Sequence, residues 1–405
     1  MTYYRNVLVV AAVAIFYTNV PAYLSYMMDP TERKDSPPML WLIVGLAVLS
    51  LPLVIERLLR SNTLKSPLSV WCFGYAWLTV AWFFLSSQSD MSWQEVRWRV
   101  LAIVELLMFL VLFAQPNATR LARQALVAGV LVAVALNIYE LLGPMSSSKV
   151  LGRSAGLYMN PNQAGQALVL GMIFSVSVLP SWFRGPFMVL AGIGIFPTFS
   201  RSAILQWVIV VVCSMLLRRV RPRDFVLSVS VSLLLVAVLL LPRWDQFLTT
   251  LDSSGVINKN VEERLDWFMD PSGVEDSSSW ERAYLAKQAW DKTAEHPFLG
   301  SGTGSSREMA IGAHNQYLMF VQDHGLLGAA ILPLLLLAVT WGARGEVRDM
   351  AILFGCTVVV QSFLSHDLLN QPEALLLFAL MAAMSSTSRE SELKKTHAMT
   401  TAEVG

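Results

Sequence analysis

The 405-residue chain has only three cysteines and none of the spacings that make a metal centre. Cys72, Cys213 and Cys356 each lie inside an apolar run, so neither a disulfide framework nor a zinc site is expected. Also missing are an Asp-x-Asp pair to hold a divalent ion, a Walker loop to cradle phosphate, and a His-Glu-x-x-His zinc motif. Any chemistry is therefore expected to proceed without a metal or cofactor. Charge of one sign is lacking as well: 30 Lys and Arg against 29 Asp and Glu leave a net +1, which gives no support to nucleic-acid binding. What the chain has in abundance is apolar side chains. A hydrophobic fraction of 55% and a mean hydropathy of +0.52 put it in the membrane class rather than among soluble domains.

Apolar stretches able to cross roughly 30 Å of hydrocarbon, allowing for tilt or partial burial of the shorter ones, occur at 7–28, 39–55, 68–86, 100–114, 124–142, 164–180, 186–199, 202–217, 225–241, 315–341, 349–364 and 372–386. The expected fold is an all-α polytopic membrane protein with about twelve transmembrane helices and one large, partly helical outer loop. The basic start before the first run imitates a secretory signal, but the run continues to Met28, longer than a signal core, and reads as a span. The stretch 315–341 is interrupted by Asp323, His324 and Gly325 and reads as a short outer segment leading into a span from Leu326.

Lys and Arg at span ends stay on the cytoplasmic side. With the N-terminus inside, Arg57, Arg60, Lys65, Arg120, Arg123, Arg184, the cluster Arg218, Arg219, Arg221 and Arg223, then Arg344 and Arg348 all fall inside. The organisation is then 1–241 with nine spans, an outer loop 242–313, three spans in 314–386, and a cytoplasmic tail 387–405 whose polar composition predicts disorder. Within the loop, Ser278-Ser279-Trp280-Glu281 has capping-box spacing and predicts a helix to about Ala294, ended by His296-Pro297 and the glycine-rich run from Gly300 to Gly304.

Three signals on the outer side carry chemistry. Arg153, Arg201, Arg264 and Arg282 lie outside or at the outer boundary, where guanidinium groups can grip a diphosphate headgroup through bidentate bonds; the alternative is snorkelling or a structural ion pair. The loop from Arg153 to Gly165 offers the amides of Asn160 and Asn162 to sugar or phosphate, though Asn160-Pro161-Asn162 is also an ordinary turn and helix cap. His314-Asn315 stands where the outer loop re-enters the membrane, and a neutral histidine there can accept a proton from a hydroxyl nucleophile. His296, His324 and His366 read as packing or helix-end residues. Glu105 and Glu140, in or near spans, are expected to pair with nearby arginines.

Together these features resemble the O-antigen ligase family, part of the ligase and polymerase superfamily of bacterial surface-polysaccharide assembly. Ligases of the family have His followed by Asn, Ser or Gln, then nine residues, Gly, two residues and a small residue. Here His314-Asn315 is followed at that spacing by Gly325-Leu326-Leu327-Gly328. Their Arg-x-x-x-Leu pattern is Arg201 to Leu205, and their long-loop arginine is similar in place to Arg282, upstream of His296-Pro297. The resemblance covers most of the chain and implies transfer of O-antigen glycan from undecaprenyl diphosphate to a sugar hydroxyl of lipid A-core. The site implied faces the periplasm from the bacterial inner membrane, with both termini cytoplasmic and membrane lipid around the spans. On this resemblance His314 is the general base, while Arg201 and Arg282 neutralise the departing diphosphate with Arg153 in support. Asn160, Asn162, Arg264 and Asn315 are the substrate-binding candidates. With no carboxylate nucleophile in view, a single inverting displacement is expected.

The nearest alternative is a polymerase of the same superfamily or a protein-glycosylating relative, since the arginines serve a diphosphate equally well in all of them. A transporter of lipid-linked glycans would need paired broken helices and polar residues at the membrane midplane, whereas the polar set here collects at the outer edge.

Overall fold

The computed structural model describes residues 2–28, 37–60, 65–86, 88–143, 148–244, 249, 258–259, 261–264, 277–308, 315–365 and 367–404. Among them there is no strand: the chain is all-α. The helices are α1 (Thr2–Ala12), α2 (Val20–Met28), α3 (Pro37–Arg60), α4 (Pro67–Leu85), α5 (Asp90–Phe113) and α6 (Pro116–Leu142). They continue with α7 (Pro161–Val176), α8 (Ser181–Ile195), α9 (Arg201–Leu216), α10 (Pro222–Leu240), α11 (Ser277–Glu295) and α12 (Gln316–His324). The last three are α13 (Gly328–Thr340), α14 (Gly345–Leu364) and α15 (Pro372–Val404).

Local sequence explains where several of them begin. Ser66 caps α4 by accepting from the Ser69 amide at 3.2 Å with Pro67 in the first turn, and Ser89 caps α5 in the same way through the Ser92 amide. Val13–Tyr17 continues α1 as a π-helical turn, and Asn19, with φ 58°, breaks the helix so that Thr2–Tyr17 and Val20–Met28 are bent by 53°.

Each of the twelve apolar runs falls on helix. Among the described residues, five helical stretches are long and apolar enough to cross a membrane: Pro38–Arg57, Pro67–Leu85, Pro116–Leu142, Gln316–Thr340 and Gly345–Leu364, or six with the bent N-terminal pair. The shortfall from twelve has physical causes. Helices of 15 or 16 residues, as in α7, α8 and α9, extend only about 24 Å. α5 starts ten residues before the apolar run at 100–114 and carries Asp90, Glu95, Arg97, Arg99 and Glu105. The helix predicted in the long loop forms as α11. The interrupted stretch forms as α12, a 3-10 turn at Gly325–Leu327 and α13, matching the break expected at Asp323 to Gly325. Beyond residue 387, where composition predicts disorder, α15 instead continues as helix to Val404.

The chain divides into two units: Met1–Ala12, Leu40–Ala122 and Ser278–Gly405 form one, and Val13–Met39 with Arg123–Ser277 the other. Each is organised around a helix buried on all sides. In the first, residues 371–385 of the segment leading into and along α15 are buried, with α5, α13 and α14 packed against that helix. In the second, α7 is buried at every position from Ala164 to Val176 and packs on α8 and α9. An all-round apolar helix finds this position because no face of it prefers water. Outer helices present apolar side chains outward: Val44, Val48, Leu49 and Ile55 on α3, and Leu227, Leu233, Leu234 and Val238 on α10 are exposed. Belts of this kind suit a hydrocarbon solvent.

Candidate active site

In the second unit, three of the expected arginines converge on the turn that starts α9. The 3-10 turn Phe196–Thr198 ends at Phe199, a bulky residue in the left-handed region with φ 45°, and Ser200 then leads into Arg201. Such a conformation costs a non-glycine residue on the order of 1–2 kcal/mol, so surrounding contacts must hold it. Two of those contacts come from arginines. Arg153, buried at 4% exposure, donates from Nε to the Thr198 carbonyl and from Nη2 to Asn162 Oδ1, both at 2.8 Å. Arg264, in the helical segment 261–264, donates from Nη1 to the Phe199 carbonyl at 3.3 Å. Arg201 itself is the first residue of α9 and partly exposed.

The loops around this turn are fixed from the opposite side. Glu140, near the end of α6, accepts from the amides of Ala155 and Gly156 at 2.7 Å each and so anchors the loop that carries Arg153. Asn258 donates to the Leu151 carbonyl at 3.0 Å, which ties the segment bearing Arg264 to the same loop. Asn160 is the N-cap of α7, its Oδ1 accepting from the Asn162 amide at 3.0 Å, with Pro161 in the first turn. Its side-chain oxygen is thus engaged in capping, and Asn162 in holding Arg153.

The first unit contains a buried charge network that sequence reading missed. Arg99 on α5, 2% exposed, donates to Glu95 one turn earlier at 3.0 Å, to Asp323 Oδ2 at 2.5 Å, and is hydrogen-bonded to His324 Nε2. Asp323 also accepts from the Gly304 and Ser306 amides and the Ser305 hydroxyl, at 3.1, 2.9 and 3.1 Å. Arg307 bridges Glu95 at 3.2 Å and Asp367 at 2.8 Å. Burial works to lower the Arg307 pKa, but the carboxylates of Glu95 and Asp367 outweigh it and hold the guanidinium above its ordinary value. The network welds the glycine-rich loop to the end of α12. His324 packs edge-on against Trp82, with ring centroids 5.8 Å apart, the packing role expected of it. Glu95 and Arg99, four apart on one helix, form a pair visible in the local sequence; the second acid on Arg99, Asp323, lies 224 residues away, which no spacing signals.

Of the residues in the His-Asn pattern, Asn315 caps α12 by accepting from the Leu318 amide at 3.1 Å. The two glycines that close the pattern are steric requirements. Gly325 has φ 60° and would bring a Cβ within 2.4 Å of Phe298 backbone, while a Cβ on Gly328 would meet the Phe320 carbonyl at 1.9 Å. His314 and His366 lie outside the described residues, as does the side chain of Arg282, whose backbone belongs to α11. His296 sits in the bend just after α11, a helix-end position as expected. Glu105 corrects an expectation. It is buried on α5, and the charge acting on it is the Glu373 carboxylate on α15 rather than an arginine, with its Oε2 lacking a hydrogen bond.

Residues 186–332 match the model of a family described as O-antigen ligase. Through this stretch, a little over a third of the chain, the protein is similar to the O-antigen ligase family. No curated protein matches the chain. The matched stretch includes the Arg201 turn and the loop and helices from α11 into α13, so both clusters above fall at least partly within the O-antigen ligase region. With the apolar helices, this similarity points to a multi-pass membrane protein and to a glycosyltransferase-like enzyme of the O-antigen ligase and polymerase superfamily that uses lipid-linked glycans.

Proposed function

We propose that the protein transfers O-antigen glycan from undecaprenyl diphosphate to a sugar hydroxyl of lipid A-core, working at the periplasmic face of a bacterial inner membrane. The observation that carries this reading is the convergence of Arg153, Arg201 and Arg264 on one strained turn inside the O-antigen ligase region. In the accompanying topology the chain crosses the membrane twelve times with both termini cytoplasmic, and 242–313 is the periplasmic loop. This follows from the basic residues that flank the inner ends of the apolar runs.

In the reaction, the acceptor hydroxyl oxygen forms a bond to the anomeric carbon as the bond from that carbon to the diphosphate oxygen breaks. His314 takes the hydroxyl proton, and the diphosphate leaves with the bonding electron pair. Arg201 and Arg282 meet the charge that develops on the leaving group, where fixed cations contribute most to the rate. Arg153 and Arg264 keep the Arg201 turn in shape and add positive potential, Asn162 holds Arg153, and Asn160 and Asn315 cap the helices α7 and α12. Guanidinium groups supply the positive charge that a divalent ion would otherwise bring, so no metal step is required. A single displacement inverts the anomeric centre.

The test is transfer by the purified protein in chelator, with an undecaprenyl-diphosphate glycan as donor and, separately, lipid A-core and a second lipid-linked glycan as acceptors. Transfer to lipid A-core that depends on His314 is the expected result. Elongation of the second donor would make the protein a polymerase of the superfamily, and transfer to neither acceptor would favour a carrier of the same lipid.

A further inference from the structure

The first unit holds a cavity of about 740 Å³, within the size range of pockets that bury small ligands. Most of its wall comes from residues 292–308, between the end of α11 and the glycine-rich loop, and the rest from the end of α4 and from Gln322 on α12. Its chemistry is mixed in a particular way. Trp82 and Phe298 contribute rings; the Trp82 indole N–H is already spent on the Leu299 carbonyl at 2.6 Å, so what it offers a ligand is apolar surface. Phe298 is 74% exposed, an unusual position for a large apolar side chain beside a polar cavity.

Gln322 supplies a second, independent sign of a ligand. It is 1% exposed; its Nε2 donates to the Ser305 carbonyl at 3.3 Å, yet its Oε1 is buried without a hydrogen-bond partner. A buried acceptor left open is unfavourable, and a hydroxyl donor entering the cavity would satisfy it. The charged lining, Lys292 against Glu295 and Glu308, does not favour an anion. Rings, an open amide oxygen, and donors and acceptors of both signs together suit a neutral, hydroxyl-rich ligand with apolar ring faces.

We propose that this cavity binds a short run of sugar residues, as a subsite separate from the arginines that meet the diphosphate. The identification of the polyhydroxyl ligand as a glycan substrate rests on the transferase reading above. Two sources share that chemistry: the acceptor's core oligosaccharide and the glycan carried by the donor.

The experiment measures binding without transfer. The full-length protein in lipid nanodiscs is titrated with core oligosaccharide released from lipid A by mild acid and, in a second arm, with repeat-unit oligosaccharide freed of its lipid diphosphate. Saturation-transfer NMR reads the dissociation constant. The expected result is saturable binding of one probe, which names the source. Binding should weaken about tenfold in Phe298→Ala, whose exposed side chain can be removed without disturbing the fold, and several-fold in Lys292→Ala. Gln322→Glu, similar in size, serves as an interior probe, with its melting temperature compared to wild type. Saturable binding of neither probe, or binding unchanged in Phe298→Ala and Lys292→Ala, overturns the proposal. Transfer by the same wild-type sample separates the two readings. Transfer without saccharide binding removes this subsite alone, while binding without transfer removes the ligase reading and leaves a saccharide site.

Discussion

Arginine is used in two different ways in the two units. In the first, Arg99 and Arg307 are wrapped by Glu95, Asp323 and Asp367, so their charge is matched where it is buried. In the second, Arg153 and Arg264 donate to the backbone carbonyls of Thr198 and Phe199, and Arg201 begins α9 partly exposed. A carboxylate both places a guanidinium and cancels its charge, whereas a carbonyl places it through a hydrogen bond. The comparison therefore sets arginines locked into a buried carboxylate network against arginines that brace the backbone turn leading into α9.

The largest effect is expected at His314, which belongs to neither set. His314→Ala should reduce transfer by three orders of magnitude or roughly so, as loss of a general base does, with donor binding retained in a filter assay. Normal transfer in that variant would sink the assignment of the base. Arg201→Ala should slow transfer about 100-fold while the melting temperature in detergent stays near that of wild type. A large fall in melting temperature would move Arg201 to the structural set and erase the contrast. Arg99→Ala should do the reverse, destabilising the first unit by roughly 3–5 kcal/mol because Asp323 and Glu95 are left buried without their cation. Arg99→Lys should recover only part of that, since an ammonium cannot reproduce three directed bonds. Thermal unfolding followed by circular dichroism distinguishes the two variants. The smallest effect is at Asn160, where loss of the α7 cap by Asn160→Ala should cost about 1 kcal/mol and change transfer little. A transfer defect out of proportion to that cost would restore Asn160 as a substrate ligand.

Much of this was legible in the chain before folding was considered. The helix α11 followed from Ser278 and Glu281 at capping-box spacing, and the break between α12 and α13 from Asp323, His324 and Gly325. Arg201 stood out because its charge sits in a tight connection between two apolar runs. The role of Asn160 was less legible, since the same Asn-Pro-Asn sequence serves as a cap or as a ligand and only the bond to the Asn162 amide decides between them. The Glu105 expectation failed because a carboxylate in a span can be matched by an arginine or set beside another acid. The sequence of one helix does not say which neighbour it will meet.

The sequence by itself determined the membrane class, the run of helices, the arginines beside the apolar runs and the spacing from His314 to Gly328. Each of these depends on composition or on residues close along the chain, where hydropathy and helix geometry act directly. Only the tertiary structure decided that α7 and α15 are the buried centres of their units, that Asp323 pairs with Arg99 across 224 residues, and that Arg264 comes to the turn before Arg201. All three are long-range pairings among elements of similar apolar character. Membrane helices are alike in what they bury, so their partners are chosen by the few polar groups that must find one another and by side-chain fit, and both are settled only when the helices pack.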